Sequence, residues 1–344
     1  MDTAIKKMKV PVFNGNGQIQ FTKKEIPQPA SGQLLLEVKA NVLCGSERGQ
    51  FYHGSHVVPG HEVAGNVVAV GNNTSTEVGT PGVVFLMDYC SECENCQLGF
   101  TNQCSNKRGD YGFNRDGGYS PYIVVNENVF FQINPNIPLT DATLLLDIMG
   151  TGGHAIKRAQ LVHQTIRSVA ITGAGPIGLG VLAMSKLLLG KDIPVFIADY
   201  SAYRLQLAAK LGGIAVNLHE SSLPNAIQSD NFIGVDAAFD TSGKTSARQS
   251  LLSILKQRGV LVCVGHGEEL KLNVSSDLIA NERAVLGSEY FQFEELAENL
   301  KLLQNNLAYL QQIITHRFHL EEIQAAFELF FKGDTGKVVI EHEG

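Results

Sequence analysis

Four of the six cysteines in this 344-residue chain crowd into one short stretch, Cys90-x2-Cys93-x2-Cys96-x7-Cys104, leaving Cys44 and Cys263 apart. Cysteines so close in sequence make poor disulfide partners, whereas four thiolates at this spacing can close a tetrahedral zinc site. With no open position, such a site is structural. An iron–sulfur run also starts with cysteines two residues apart, but it continues with a shorter last gap and a Cys-Pro pair, where this chain has seven residues and then Ser105. The spacing therefore points to zinc.

A second set is dispersed. Cys44-Gly45-Ser46-Glu47 follows an apolar run, Pro59-Gly60-His61-Glu62 precedes another, and Asp147 sits inside the apolar stretch from Leu146 to Gly152. A buried carboxylate is costly unless it is paired or metal-bound. Cys44, His61 and Asp147 thus resemble a three-ligand zinc site with its fourth position open to substrate. Taken singly, each has an ordinary alternative: a small buried hydrophobe, a hydrogen-bonded structural histidine, a helix cap.

A third motif is contiguous. Val169 to Thr172 reads as an apolar strand running into Gly173-Ala174-Gly175-Pro176-Ile177-Gly178 and then an apolar helix, the G-x-G-x-x-G context of a dinucleotide pyrophosphate at a helix N-terminus. Pro176 suits the first helical turn. A second strand ends in Asp199, where a carboxylate would hold the ribose hydroxyls and favour NAD. Against a 2′-phosphate it would cost on the order of 4 kcal/mol per charge pair at about 4 Å. Arg204 is within reach of the adenosine end, or is an ordinary solvated arginine at a helix start.

These residues need two kinds of scaffold. From Ile19 to about Val125 short β-branched runs (Leu34 to Val42, Val63 to Val70, Val83 to Leu86, Tyr122 to Val125) are broken by Gly, Pro and Asn, which reads as a barrel-like β domain. After about Thr140 apolar strands alternate with helical stretches, the signature of a parallel sheet. Near the end, Leu320 to Phe331 reads as a helix and Lys337 to Glu341 as a strand. A composition of 44% hydrophobic and 18% charged residues excludes charge-driven disorder. With 27 Lys and Arg against 34 Asp and Glu there is no basic surface for nucleic acid. No apolar run approaches the ~20 residues of a membrane helix, and the first residues carry lysines with no apolar signal stretch behind them. The expectation is a soluble, cytoplasmic protein with no nucleic-acid or membrane partner.

The order Cys44-Gly45-Ser46, Gly60-His61-Glu62, the four-cysteine lobe, Asp116-Gly117-Gly118-Tyr119, the glycine fingerprint, Asp240-Thr241-Ser242-Gly243, Arg258-Gly259 and Gly336-Lys337-Val338-Val339 resembles the zinc-dependent medium-chain dehydrogenase/reductase family along essentially the whole chain. The resemblance implies a GroES-like β-barrel catalytic domain (1–150) carrying a structural-zinc lobe (about 88–106). It further implies a Rossmann doubly wound parallel-sheet domain that binds NAD (151–290) and a C-terminal segment returning to the barrel (291–344). It implies two zinc ions and NAD. Cys44, His61 and Asp147 take the positions of the catalytic zinc ligands, Ser46 that of the hydroxyl starting the proton relay, Glu62 that of a residue able to approach zinc, and Thr151 that of a cofactor contact. Gly173, Gly175, Pro176, Ile177, Gly178, Asp199 and Arg204 fall to the cofactor.

Two positions depart from the pattern. Glu47 stands where aspartate usually supports the zinc histidine, and one extra methylene could move that contact. Gly49 stands where many relatives have a relay histidine, leaving His53 and His56 nearby without an assigned role. The activity implied is hydride transfer between NAD and the carbinol carbon of a secondary alcohol. A polyol or sugar-like substrate is expected, because Glu47, Arg48, Tyr52, His53, Asn114 and Arg115 would give the cleft a polar mouth. A simple secondary alcohol and a threonine-type amino alcohol are the alternatives. A non-catalytic NAD-binding zinc protein is the reading from another class. Ala284 to Leu286, near the end of the nucleotide sheet, could pair across a two-fold axis into a homodimer or homotetramer.

Overall fold

The computed structural model of the chain describes residues 6–342. Among them no helix is long and apolar enough to cross a membrane. A hairpin of β1 (Lys7–Gly15) and β2 (Gln18–Glu25) leads into β3 (Gln33–Val42), β4 (Val63–Val70), β5 (Pro81–Val84), β6 (Tyr122–Asn126) and β7 (Phe130–Gln132). The second half carries β8 (Val169–Thr172), β9 (Val195–Asp199), β10 (Ile214–Asn217), β11 (Val235–Asp240), β12 (Leu255–Cys263) and β13 (Ala284–Gly287), with helices between successive strands. The chain ends in β14 (Ile314–His319), the helix Ile323–Lys332 and β15 (Lys337–Glu341).

The second-half strands form one six-stranded sheet in the order β10-β9-β8-β11-β12-β13, parallel at every pairing. Every residue of β8 and β11 is buried, as expected of strands covered by helices on both faces. The other sheet runs β14-β15-β3-β4-β5-β7, with β6 also paired to β3. β15 lies antiparallel to β3 through the pair Val339 and Val42, so the C-terminal segment returns to the barrel beside Cys44. One apolar core runs from barrel residues such as Leu36 and Val83 to Val169 and Phe239 of the nucleotide sheet. A second core, with Phe13, Phe51, Tyr119 and Phe327, underlies the turn after β3.

Three elements of the barrel half and its return were not evident in the sequence pattern: the hairpin start at Lys7, the helix Glu295–Leu310 and β14. All three are partly exposed and carry polar residues at positions that blur the period.

Where β15 ends, burial pushes the His342 imidazole down to about 4, helped by the charge of Lys39 and opposed by the Gly118 carbonyl. An unfolded chain has an ordinary histidine near 6.5 and takes up the proton first. Stability is therefore intact above about pH 6.5 and drains away as pH falls towards 4, by about 1.4 kcal/mol per unit. At pH 5 the wild type should have lost about 2 kcal/mol more than His342→Phe, measured as the difference in their unfolding free energies at pH 7.5 and pH 5. Equal losses in the two proteins would remove His342 from the account.

Candidate active site

Cys44 leaves β3 and enters a tight turn, Gly45–Glu47, while His61 sits just before β4. The loop carrying His61 is held by the Asp116 to Tyr119 segment. Gly117 and Gly118 N–H donate to Val58 and Gly60 carbonyls at 2.7 Å each, Tyr119 N–H donates to the Pro59 carbonyl at 3.1 Å, and Asp116 accepts from Val58 N–H at 2.8 Å. Asp147 opens a π-helical turn, Asp147–Thr151, whose residues are all buried. Such wide turns recur at functional sites. This turn packs directly on the helix Pro176–Leu188: a Cβ on Gly180 would lie 2.5 Å from the Ile148 carbonyl, so the close approach requires glycine there.

The three side chains converge although 103 residues separate Cys44 from Asp147. Cys44 Sγ lies 3.3 Å from Asp147 Oδ2, and His61 Nε2 lies 3.5 Å from the same oxygen. With Glu62, these donor atoms all lie within 4.8 Å of one another, and all four residues are buried. Donors about 2.0 to 2.3 Å from a tetrahedral zinc stand roughly 3.3 to 3.8 Å apart, so the spacing fits that ion. The electrostatics agree. Against the penalty of burial, hydrogen bonds to Asp147, Cys44 and Glu47 raise His61 well above its ordinary pKa, and Asp147 is held well below its own by His61 and Lys337. The donors thus draw positive charge to their centre. A divalent cation there would balance the Cys44 thiolate and the Asp147 carboxylate.

Glu62 is not free to complete that set. Its Oε1 pairs with Lys337 at the start of β15, and its Oε2 accepts from Asp147 N–H at 3.3 Å. Lys337 is 1% exposed and Glu62 is wholly buried. Burial and the Asp147 charge raise Glu62, and Lys337 opposes them. Lys337 therefore supplies the counter-charge that leaves Cys44, His61 and Asp147 as the set facing an ion. Thr151, expected to contact the cofactor, places its hydroxyl 3.3 Å from Asp147 Oδ1. Ser46 is exposed beside Cys44.

The extra methylene of Glu47 does not break its contact. His61 Nδ1 donates to Glu47 Oε1 at 3.1 Å, which turns Nε2 towards Asp147 and Cys44. Glu47 Oε2 accepts from Cys44 N–H at 3.3 Å and from Tyr119 O–H at 2.7 Å. Of the residues expected to give the cleft a polar mouth, Arg48, Tyr52 and His53 line one cavity with Asn16 and Gly49. Glu47 is wholly buried; Arg48 stacks over Tyr52 and Phe331 at 5.2 and 5.0 Å; Asn114 accepts from Asp110 N–H; and Arg115 donates to the Arg108 carbonyl. Each has found a partner within its own loop. The Phe113 ring lies 5.0 Å from His61. Tyr290, at φ 47°, is buried against Phe85 and Phe291, and burial with the charges of Asp147 and Glu62 pushes its hydroxyl well above the ordinary range. Tyr119 and Lys337 lie in segments that carried the family resemblance but were given no role at the site, and Phe113 and Tyr290 carried no signal; each reaches the site through the tertiary fold.

In the four-cysteine lobe the sulfurs of Cys93 and Cys96 are 3.5 Å apart, and those of Cys90 with Cys96 and of Cys93 with Cys104 are 3.9 Å apart, close to the edge of a zinc–thiolate tetrahedron. Backbone N–H groups of Cys96 and Ser105 bring Cys93 down to about 6, while burial raises Cys96 and Cys104. Four thiolates this close repel one another unless a cation lies between them.

The glycine fingerprint closes the end of β8 and begins the helix Pro176–Leu188. A Cβ on Gly178 would strike the Gly173 carbonyl at 1.8 Å, which fixes that residue as glycine. Gly175, at the helix N-cap, faces open space except for Arg204 Nη1 at 3.7 Å. Asp199, at the end of β9, accepts from Ala174 N–H at 2.6 Å and from Ser201 N–H at 2.8 Å, which ties it to the glycine turn. Arg204 Nε donates to the Thr335 carbonyl at 3.1 Å, holding the guanidinium over the turn. At the carboxyl ends of β12 and β13, where ligand clefts open in such sheets, lies a cavity of about 760 Å³ lined by Val264, Gly265, His266 and Ser288 with Gln103 of the cysteine lobe.

Residues 30–135 match the alcohol dehydrogenase GroES-like domain, and residues 176–305 match the zinc-binding dehydrogenase family. The chain is 30% identical over 337 residues to L-threonine 3-dehydrogenase of Shewanella frigidimarina, covering 92% of this chain and 94% of that protein. It is 28% identical over 360 residues to the zinc-type alcohol dehydrogenase-like protein YphC of Escherichia coli, covering 98% and 99%. Among solved structures, the fold is shared with alcohol dehydrogenase TADH of a Thermus species (TM-score 0.89, 24% identity, 98% and 100% covered). It is also shared with L-idonate 5-dehydrogenase of E. coli (TM-score 0.84, 24% identity, 98% of each chain covered). With both family matches in sequence order and a relative at that identity along nearly its full length, the chain belongs to the zinc-dependent medium-chain alcohol dehydrogenase family.

Proposed function

We propose that this dehydrogenase transfers hydride between NAD and the carbinol carbon of a secondary alcohol flanked by polar groups, of the polyol or sugar-like class. The observation that carries the reading is the convergence of Cys44, His61 and Asp147 on a turn packed against the fingerprint helix, which brings a metal-competent donor set beside a dinucleotide site. Zinc held by these three residues supplies a Lewis acid for the alcohol oxygen, and NAD supplies the hydride acceptor. The protein's own part is positional. Glu47 fixes His61, Lys337 neutralises Glu62, and Ser46 stands beside Cys44 to accept the hydroxyl proton and pass it outward. Asp199 and Arg204 would hold the adenosine end of NAD beside the glycine turn, to which both are tied. The Cys90, Cys93, Cys96 and Cys104 site binds a second zinc and shapes the lobe.

L-threonine, the substrate named for the relatives at 29% and 30% identity, has its own secondary alcohol beside polar groups, which favours an amino alcohol of that kind as the second reading. The thiolate sites suit a soluble protein of the reducing cytoplasm. The free edge strand β13 suits pairing with a second copy, giving a homodimer or homotetramer.

The test is absorbance of reduced cofactor with NAD or NADP and a panel of polyols, sugar acids, secondary alcohols and L-threonine, with and without a chelator. Chelator-sensitive reduction of NAD with a polyol or sugar acid is expected. Turnover of L-threonine alone would select the second reading. A protein that carries a full complement of zinc and reduces neither cofactor with any of them would overturn both in favour of a non-catalytic NAD-binding protein.

A further inference from the structure

We propose that Tyr119 is a positioning residue of the catalytic metal site, acting through Glu47 to aim the imidazole of His61. The inference rests on the reading of Cys44, His61 and Asp147 as the ligands. Glu47 is wholly buried, and a glutamate has one more rotatable bond than the shorter acid it replaces. Left to itself, its carboxylate could swing about the last bond and lose the His61 ring. Three donors claim it: His61 Nδ1 on Oε1, and Cys44 N–H with Tyr119 O–H on Oε2. Of these, the phenol bond at 2.7 Å is the shortest, and the backbone bond at 3.3 Å the longest.

The phenol is itself immobile. Tyr119 is wholly buried, its ring stacked 6.1 Å from Phe13 and edge-on 5.7 Å from Phe327. Its backbone N–H donates to Pro59, and the preceding Gly118 N–H donates to Gly60, within the loop that carries His61. Phenol and imidazole therefore hang on one frame, with the Glu47 carboxylate bridging them. The other oxygen near the hydroxyl is the Val42 carbonyl, at 3.5 Å. The Tyr119 bond thus makes up for the freedom that the longer acid introduces.

The experiment is zinc competition against a chromophoric chelator on the full-length protein, in the wild type, Tyr119→Phe, Glu47→Asp and the double variant, with the four-cysteine zinc as internal reference. Partners that orient a metal-ligating histidine typically change metal affinity by about 10- to 100-fold. Tyr119→Phe should weaken the catalytic zinc by about 10-fold and leave the reference zinc unchanged. In the Glu47→Asp background the shorter carboxylate no longer meets the phenol, so adding Tyr119→Phe should change affinity less than about 2-fold. An unchanged affinity in Tyr119→Phe would overturn the proposal, as would an equal further loss in the Glu47→Asp background. A wild type holding one zinc per chain would instead overturn the ligand reading on which the proposal rests.

Discussion

Asp147→Ala should lower turnover by on the order of 10³-fold while the four-cysteine zinc stays in place. Asp147 is the third donor around the centre shared with Cys44 and His61, and its loss leaves one thiolate and one imidazole, too few to hold an ion through a catalytic cycle. A bound metal contributes several kcal/mol of transition-state charge stabilisation, and each 1.4 kcal/mol is about tenfold in rate. Zinc analysis is the second readout: content should fall from two ions per chain to one. The remaining ion should be lost only when a cysteine of the 90–104 lobe is also replaced. An Asp147→Ala protein that keeps both ions and its activity would show that this carboxylate is no ligand.

The second large effect concerns stability. Lys337→Met should destabilise the fold by about 3–5 kcal/mol, because it leaves the buried Glu62 carboxylate facing Asp147 with no counter-charge. At roughly 2 °C per kcal/mol for a chain of this size, the melting temperature should fall by about 6–10 °C. Adding Glu62→Gln should restore most of that loss, since the cost lies in the orphaned charge and not in the missing pair. Two losses that simply add would mean that the lysine and the glutamate contribute separately, and the pairing account would fail.

How much of this was legible in the sequence depends on how far apart the cooperating residues lie. The cysteine lobe and the glycine fingerprint are local: all their ligating or loop-forming residues fall within a few turns of chain, so spacing alone carries the geometry. Cys44, His61 and Asp147 are individually ordinary, and only the ordered series of family-like motifs joined them. Lys337 was visible only as part of the family-like segment Gly336 to Val339, and nothing near it in sequence announces a partner 275 residues away. Glu47 was visible as a departure, but whether an extra methylene breaks or keeps the histidine contact depends on Tyr119, which reaches it through the packing of a different loop. Arg48, Asn114 and Arg115 were visible as polar loop residues, but the aromatic and backbone partners that hold them come from the fold.

The return of β15 to the barrel has a consequence for the order in which the protein becomes able to work. A chain emerging from the ribosome delivers Cys44, His61 and Asp147 early, together with the burden of Glu62, but Lys337 arrives almost two hundred residues after Asp147. Until that strand docks against β3, the half-built barrel carries a carboxylate with no cation to quench it, and its interior cannot close around the donor set. A strand made after the whole nucleotide sheet thus completes a site whose donors come before it, so competence for metal depends on β15 and not on the earlier barrel strands alone.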